Sequence, residues 1–237
     1  MVTTAKVLSD QRKSALITGI SLIIMAIAAG FSYGLVHSSL LVQGDASATL
    51  QNIVSQNNLF KAEIFGWLIV VIADIVVAWS IYIFLKPLNK NLSLLGAWFR
   101  LVYSSILGIA VMNLILVLVL TNNTTLFATD QLPALVTLFL EAFDSIWSLG
   151  LIVFGGHLLI IGWITLQSNS IPKWISLLLL LAAISYIAVH FCKSFFPQFN
   201  EFNAILESVL TLPMTVGELG FGLWLLFRGG RVLSRKV

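Results

Sequence analysis

Six long apolar stretches, separated by short polar segments, dominate the pattern of this chain. Each is long enough to cross the hydrocarbon core of a bilayer, which takes about 20 apolar residues. Lipid offers no partner for unpaired backbone groups, so such spans are expected to be α-helices. The pattern therefore predicts an all-α integral membrane bundle, a single transmembrane domain over residues 1–237. Its six spans are predicted at about 15–36, 62–85, 93–120, 138–166, 173–195 and 207–228.

The first outer segment, residues 38–60, carries its own helical pattern. After Gly44 and Asp45, apolar residues recur at roughly helical spacing, at Leu50, Ile53, Val54 and Leu59. Asp is a favoured N-cap, because its carboxylate accepts from the free N–H groups of the first turn. We expect a short amphipathic helix on the outer surface here.

Residues 131–145 run without a break into the fourth span. A helix over 131–166 would be about 54 Å long at 1.5 Å per residue, which exceeds the bilayer. Residues 131–141 are therefore expected either to project outward or to bend back into the membrane.

Composition supports membrane residence and excludes other classes. Hydrophobic residues make up 59% of the chain and charged residues 10%, with a mean hydropathy of +1.00, whereas a soluble domain carries about 25% charged residues. The net charge is only +3, so nucleic acid is not an expected partner. Cys192 is the single cysteine, which excludes an internal disulfide.

Basic residues are distributed unequally between the two sides of the predicted topology. Eleven fall on one side and two, Lys61 and Lys193, on the other. Positive charge accumulates on the cytoplasmic side of membrane proteins, so we predict that both termini are cytoplasmic. The eleven are Lys6, Arg12, Lys13, Lys86, Lys90, Arg100, Lys173, Arg228, Arg231, Arg235 and Lys236.

Tryptophans near the span ends agree with this topology, because Trp favours the membrane–water interface. Those expected at the inner ends are Trp98, Trp163, Trp174 and Trp224, and those at the outer ends are Trp67 and Trp147.

The first span also has features of a signal peptide. Arg12 and Lys13 precede an apolar run that reaches Ala26-Ile27-Ala28, which resembles a cleavage site. The apolar run nevertheless continues through Val36, which favours a retained span over cleavage.

Four ionisable residues fall at mid-bilayer depth, where a charge costs ~2.5–3.5 kcal/mol and needs a partner or a cavity. Asp74, Arg100, His157 and Glu218 come from four different spans at similar depth, about 12–16 Å from the inner ends at 1.5 Å per residue. Asp74 and Arg100 are expected to pair, because they lie on adjacent antiparallel helices. The four are either a structural ion-pair layer or a ligand-binding group.

A second group lies toward the outer face and comprises Glu63, Glu141, Asp144 and His190, close to Lys193. It is either the mouth of a polar pocket or a set of residues at the water interface. Intramembrane ionisable residues are functional candidates in general.

Small residues and a proline suggest how the helices pack. Ala26, Gly30 and Gly34 form a stripe suited to close helix contact. Gly155-Gly156 is a candidate kink beside His157. Pro213 either breaks a helix one turn before Glu218 or marks the start of the last span.

Known cofactor chemistry is not supported. His157 and His190 differ by roughly 12 Å in predicted depth, which argues against bis-histidine haem. His37, His190, Glu141 and Asp144 lack the spacing of a zinc hydrolase. We therefore predict no cofactor and no metal site.

The order of several short motifs resembles a bacterial membrane protein family, the domain of unknown function family 4386, from about residue 14 to 230. The resemblance implies a small inner-membrane protein and places Arg100, His157 and Glu218 in recurring motifs. The motifs are Gly44-Asp45 with Thr49, Asn52 and Ile53; Phe99-Arg100; Gly156-His157-Leu158-Leu159 with Gly162; Ile171-Pro172; and Gly217-Glu218-Leu219 with Leu223-Trp224-Leu225-Leu226 and Gly229.

Three functional hypotheses remain open. The leading one is a non-enzymatic membrane protein with a polar cavity that binds or moves a small molecule or a proton. The others are an intramembrane metal-dependent enzyme acting on lipid or a lipid-linked substrate, and a structural or partner-binding subunit. The sequence indicates the lipid bilayer as a partner and leaves the oligomeric state undetermined.

Overall fold

The computed structural model describes residues 4–123 and 131–230, and almost all of this part is helical. Six helices are long and apolar enough to cross a membrane, which confirms the predicted all-α architecture. Four of the basic residues predicted on the inner side have side chains outside the described part, namely Lys6, Arg231, Arg235 and Lys236. The helices are α1 (Thr4–Ala29, continued by a π-helix at Gly30–His37 and a turn at Ser38–Leu40), α2 (Ala46–Ser55), α3 (Asn57–Leu85), α4 (Lys90–Asn122), α5 (Leu132–Leu166), α6 (Lys173–Phe195) and α7 (Asn200–Arg228).

Several spans extend further than their apolar runs. The fourth predicted span belongs to one uninterrupted helix from Leu132, so residues 132–141 continue the span and do not fold back on it. The sixth starts at Asn200 rather than at residue 207, and Pro213 lies inside it without breaking it. The broken helix considered for Pro213 is therefore absent, because one missing N–H does not end a helix whose other bonds continue.

The amphipathic helix α2 is confirmed, together with its N-cap. The Asp45 carboxylate accepts a hydrogen bond from Ala48 N at 2.9 Å, and Gly44 before it adopts a φ of +77° that favours glycine. Ile53 is fully buried, and Thr49 Oγ1 accepts from Val42 N at 2.9 Å. The helix is therefore packed on protein through one face.

The described residues group into two compact units. The first unit contains the chain up to Ile24, Ala73–Ser104 and the chain from Ser148 onward. The second contains Met25–Ile72 and Ser105–Trp147.

Glycines allow close helix contacts in the first unit. A Cβ on Gly155 would lie 3.0 Å from Ala183 O, and one on Gly156 would lie 2.7 Å from the Phe99 ring. Both glycines sit inside the continuous helix α5. Both glycines allow close packing of α5 against α6 and α4.

The glycine stripe on the first span does not act as predicted. A Cβ on Gly30 or Gly34 would have nothing within 4 Å. The helix is π-helical over Gly30–His37, which changes the face that each residue presents. Its buried residues are Ser32, Val36 and His37.

Trp67 also differs from its predicted role as an interfacial anchor. Its side chain is only 1% exposed, because it packs among other rings of the second unit. Trp98, Trp163 and Trp174 are exposed, as expected of residues facing lipid or its interface.

Candidate functional site

Arg100 on α4 is the centre of a buried polar network in the first unit. Its Nε donates to Asp74 Oδ1 on α3 at 2.8 Å. Arg100 is 1% exposed and Asp74 is fully buried. The ion pair expected from matched depth on adjacent helices is therefore present in the structure.

Glu218 and His157 complete the same network. Arg100 Nη1 donates to Glu218 Oε1 at 2.9 Å and contacts His157 Nε2 at 3.1 Å. Four helices, α3, α4, α5 and α7, thus supply one side chain each. The structure brings together all four residues of the predicted mid-bilayer layer.

The hydrogen-bond partners of His157 determine its tautomer. A guanidinium has only donors, so Nε2 must accept from Arg100. His157 Nδ1 lies 2.8 Å from Gly96 O, which only accepts, so Nδ1 carries the proton. The imidazole in this arrangement is neutral.

Aromatic rings cover the guanidinium. The Arg100 Cζ atom lies 5.3 Å from the centre of the Phe154 ring, a distance typical of a cation–π contact. Tyr103 and Tyr186 pack against the same ring, with centroids 4.9 and 5.0 Å away. These rings keep the environment of the charges largely apolar, which strengthens their interactions.

The network contains two carboxylates and one guanidinium. Since His157 is neutral, the side chains sum to −1 when both carboxylates are ionised. Among the described residues, Asp74 Oδ2 has no hydrogen-bond partner. The Glu218 side chain is 17% exposed, whereas that of Arg100 is 1% exposed. The arrangement can thus accept one more positive charge, and its Glu218 end is the more accessible.

The four residues of the predicted outer polar group do not form one cluster. Glu63 pairs with His37, Asp144 accepts from the Tyr33 hydroxyl at 3.4 Å, and Glu141 is exposed. His190 belongs to the other unit, where its Nδ1 lies 3.0 Å from Ser148 Oγ. Within the second unit, Asp144 is close enough to Glu63 to affect it electrostatically.

His37, which the sequence suggested only as a possible zinc ligand, belongs to a buried polar pair. Its Nδ1 lies 2.7 Å from Glu63 Oε1, and both side chains are almost fully buried. Both residues lie near the predicted outer ends of consecutive spans, which is the signal that could have paired them.

Four aromatic residues surround the His37–Glu63 pair in the second unit. Tyr33 stacks on the His37 ring at 5.2 Å, and Phe143 contacts the same ring at 5.4 Å. Trp67 and Trp147 pack against these rings. The pair is therefore a polar contact within an aromatic core.

No cluster of three or more His, Cys, Asp or Glu residues is placed to hold a metal ion within the described residues. The Arg100 network has three acid or imidazole groups, but the guanidinium lies between them. A cation at its centre would have to displace Arg100.

Residues 17–229 match the family model described as Domain of unknown function (DUF4386), which confirms the resemblance seen in the motifs. An uncharacterized protein of Archaeoglobus fulgidus is 31% identical over 174 residues, covering 73% of this chain and 87% of that protein. No solved structure matches the chain.

Proposed function

This chain belongs to the DUF4386 family, and we propose that it binds and releases a proton or a small cationic molecule at the Arg100 network. Binding at this position is a step in moving the proton or molecule through a polar cavity across the membrane. The observation that carries the proposal is one buried guanidinium held between two carboxylates.

Charge balance is the physical reason. A net charge is expensive in a low-dielectric interior, so a network that sums to −1 favours a further positive charge. A proton on Asp74 Oδ2 or Glu218 supplies that charge without disturbing the contacts of Arg100. A small cation reaching the more exposed Glu218 supplies it equally.

We place the protein in the inner (plasma) membrane with both termini in the cytoplasm. Support comes from the eleven basic residues on one side of the spans against two on the other. A reporter that fluoresces only when it folds in the cytoplasm, fused after Val237, tests this orientation. An alkaline phosphatase fusion at the same point should be inactive.

Infrared difference spectroscopy tests proton binding directly. Purified protein is titrated with acid, and the carbonyl stretch of a protonated carboxylic acid is followed. All carboxylic acids contribute to this band, so we expect one component of it to be lost in Asp74→Asn or in Glu218→Gln and kept in Glu141→Gln, whose side chain is exposed. If neither network variant loses a component that Glu141→Gln keeps, the result counts against proton binding.

Proton transport across the membrane can be tested in lipid vesicles. Protein is reconstituted with a pH-sensitive dye inside, and a potassium diffusion potential is imposed. We expect faster internal acidification than in protein-free vesicles, and an effect reduced in Asp74→Asn but not in Glu141→Gln. Equal rates for wild type and empty vesicles exclude uncoupled proton transport.

No observation favours the metal-dependent enzyme or the structural subunit over this proposal. Metal analysis of purified protein tests the enzyme alternative, because near-stoichiometric metal would support it. Asp74→Asn and Arg100→Ala, singly and together, test the structural alternative.

A further inference from the structure

Helix α7 has an unusual polar face for a span. Glu207, Thr211, Thr215 and Glu218 fall within an arc of about 80° at 100° per residue. The two threonines are exposed, and the Glu207 side chain is 45% exposed. The line runs from near the outer end of the helix to the carboxylate that contacts Arg100.

The apolar exposed side of α7 points in another direction. The exposed large apolar residues at about the same level as the polar face are centred roughly 135° from it at 100° per residue. The polar face is therefore distinct from the apolar side of the same part of the helix. The apolar residues are Ile205, Val209, Leu212 and Val216.

The hydroxyls of this face are free to interact with water. Thr211 Oγ1 donates to Glu207 O at 2.6 Å, and Thr215 Oγ1 donates to Thr211 O at 3.0 Å. Donation to the preceding turn satisfies the proton of each hydroxyl, and its lone pairs remain available as acceptors. Acceptor oxygens in a row suit a cation or a proton carried by water.

The outer end of the face carries one ion pair. Lys193 Nζ on α6 lies 3.8 Å from Glu207 Oε2, and both side chains are more than two-fifths exposed. At this distance the pair is weak, so it does not close the face to solvent.

We propose that the polar face of α7 lines a water-filled route from the outer surface to Glu218, along which a proton or small cation reaches the Arg100 network. The identity of what travels rests on the proposed function, whereas the existence of the route does not.

Cysteine accessibility tests the route. In a Cys192→Ser background, Thr211→Cys and Thr215→Cys are compared with their neighbours on the lipid side, Leu212→Cys and Val216→Cys. Each pair differs by one residue in depth. Each protein is first shown to be folded by gel filtration, and a charged, membrane-impermeant methanethiosulfonate reagent is then added from the outside.

Only a thiol in water forms the reactive thiolate, so we expect the Thr variants to react about tenfold faster or more than their neighbours. Equal rates within both pairs, or no reaction at either Thr position, would overturn the route. If the Thr variants are labelled faster than their neighbours but the infrared experiment shows no proton on Asp74 or Glu218, the route is supported and the proposed proton site is rejected.

The charge of the reagent tests the class of ligand. A cationic reagent should label Thr211→Cys faster than an anionic reagent of similar size, and Glu207→Gln should reduce that preference. If Glu207 is kept and the anionic reagent labels Thr211→Cys as fast as the cationic reagent does, the result contradicts a cation route.

Discussion

Arg100 Nε lies 2.8 Å from Asp74 Oδ1, and both side chains are buried to within 1% of full burial. The guanidinium also uses Nη1 for Glu218 and His157. The hydrogen bonds to Asp74 and Glu218 come from two different nitrogen atoms of the planar guanidinium. The single ammonium group of a lysine cannot take the places of both nitrogen atoms at once.

Arg100→Lys should therefore lower stability although the charge is kept. We expect a loss of about 1.5–3 kcal/mol, the contribution of a hydrogen bond to a charged group, seen as a lower melting temperature in detergent. Arg228→Lys is the control, since Arg228 is exposed. A melting temperature equal to that of wild type would show that only the charge matters.

Asp74→Asn and Arg100→Ala, singly and together, distinguish a structural ion pair from a functional one. Removing one partner of a buried pair costs about 3–5 kcal/mol, so each single change should reduce the folded yield. Recovery in the double variant indicates a structural pair. A double variant that folds well but no longer shows the acid-sensitive infrared band supports a functional network.

His157 should be protonated on Nδ1 and not on Nε2, because Gly96 O accepts from one nitrogen and Arg100 donates to the other. Nitrogen-15 NMR of histidine-labelled protein distinguishes the tautomers. The chain has three histidines, so the signal absent from His157→Gln identifies this one. Protonation on Nε2 would contradict the arrangement.

Gly217→Ala should be destabilising, by about 1–3 kcal/mol for overpacking. A Cβ there would lie 2.6 Å from Ala182 Cβ and 2.8 Å from the backbone oxygen of Leu178, and backbone cannot move aside cheaply. Gly220→Ala on the same helix is the matched control, because its Cβ would meet nothing within 4 Å. We expect Gly220→Ala to be neutral or stabilising in thermal unfolding, so equal losses would contradict the packing argument.

His37 and Glu63 should be energetically coupled. Each of His37→Leu and Glu63→Leu leaves a buried polar partner unpaired, and the double change leaves none, so the two losses should not add. We expect a coupling of about 0.5–3 kcal/mol in a double-mutant cycle. As the control, the stability changes of His37→Leu and Glu141→Gln should add, because Glu141 is exposed and is not the partner of His37.

Positions along the helix axis could be derived from the sequence. The number of spans follows from the number of apolar runs long enough to cross a bilayer, and the structure has six such helices. The same reasoning placed Asp74 and Arg100 at matched depth on consecutive antiparallel helices, where the structure shows them paired. Asp45 was identified as an N-cap because a cap is a local interaction.

Positions around the helix axis were decided only by the tertiary structure. Depth alone suggested that Glu63 and His190 share a group, yet they belong to different units. The π-helical segment turned His37 inward toward Glu63 and left Gly30 and Gly34 without a neighbour. Lipid is equally apolar on every side of a span, so hydrophobicity determines how far a residue lies along the helix. Which residues face one another depends on side-chain packing between helices.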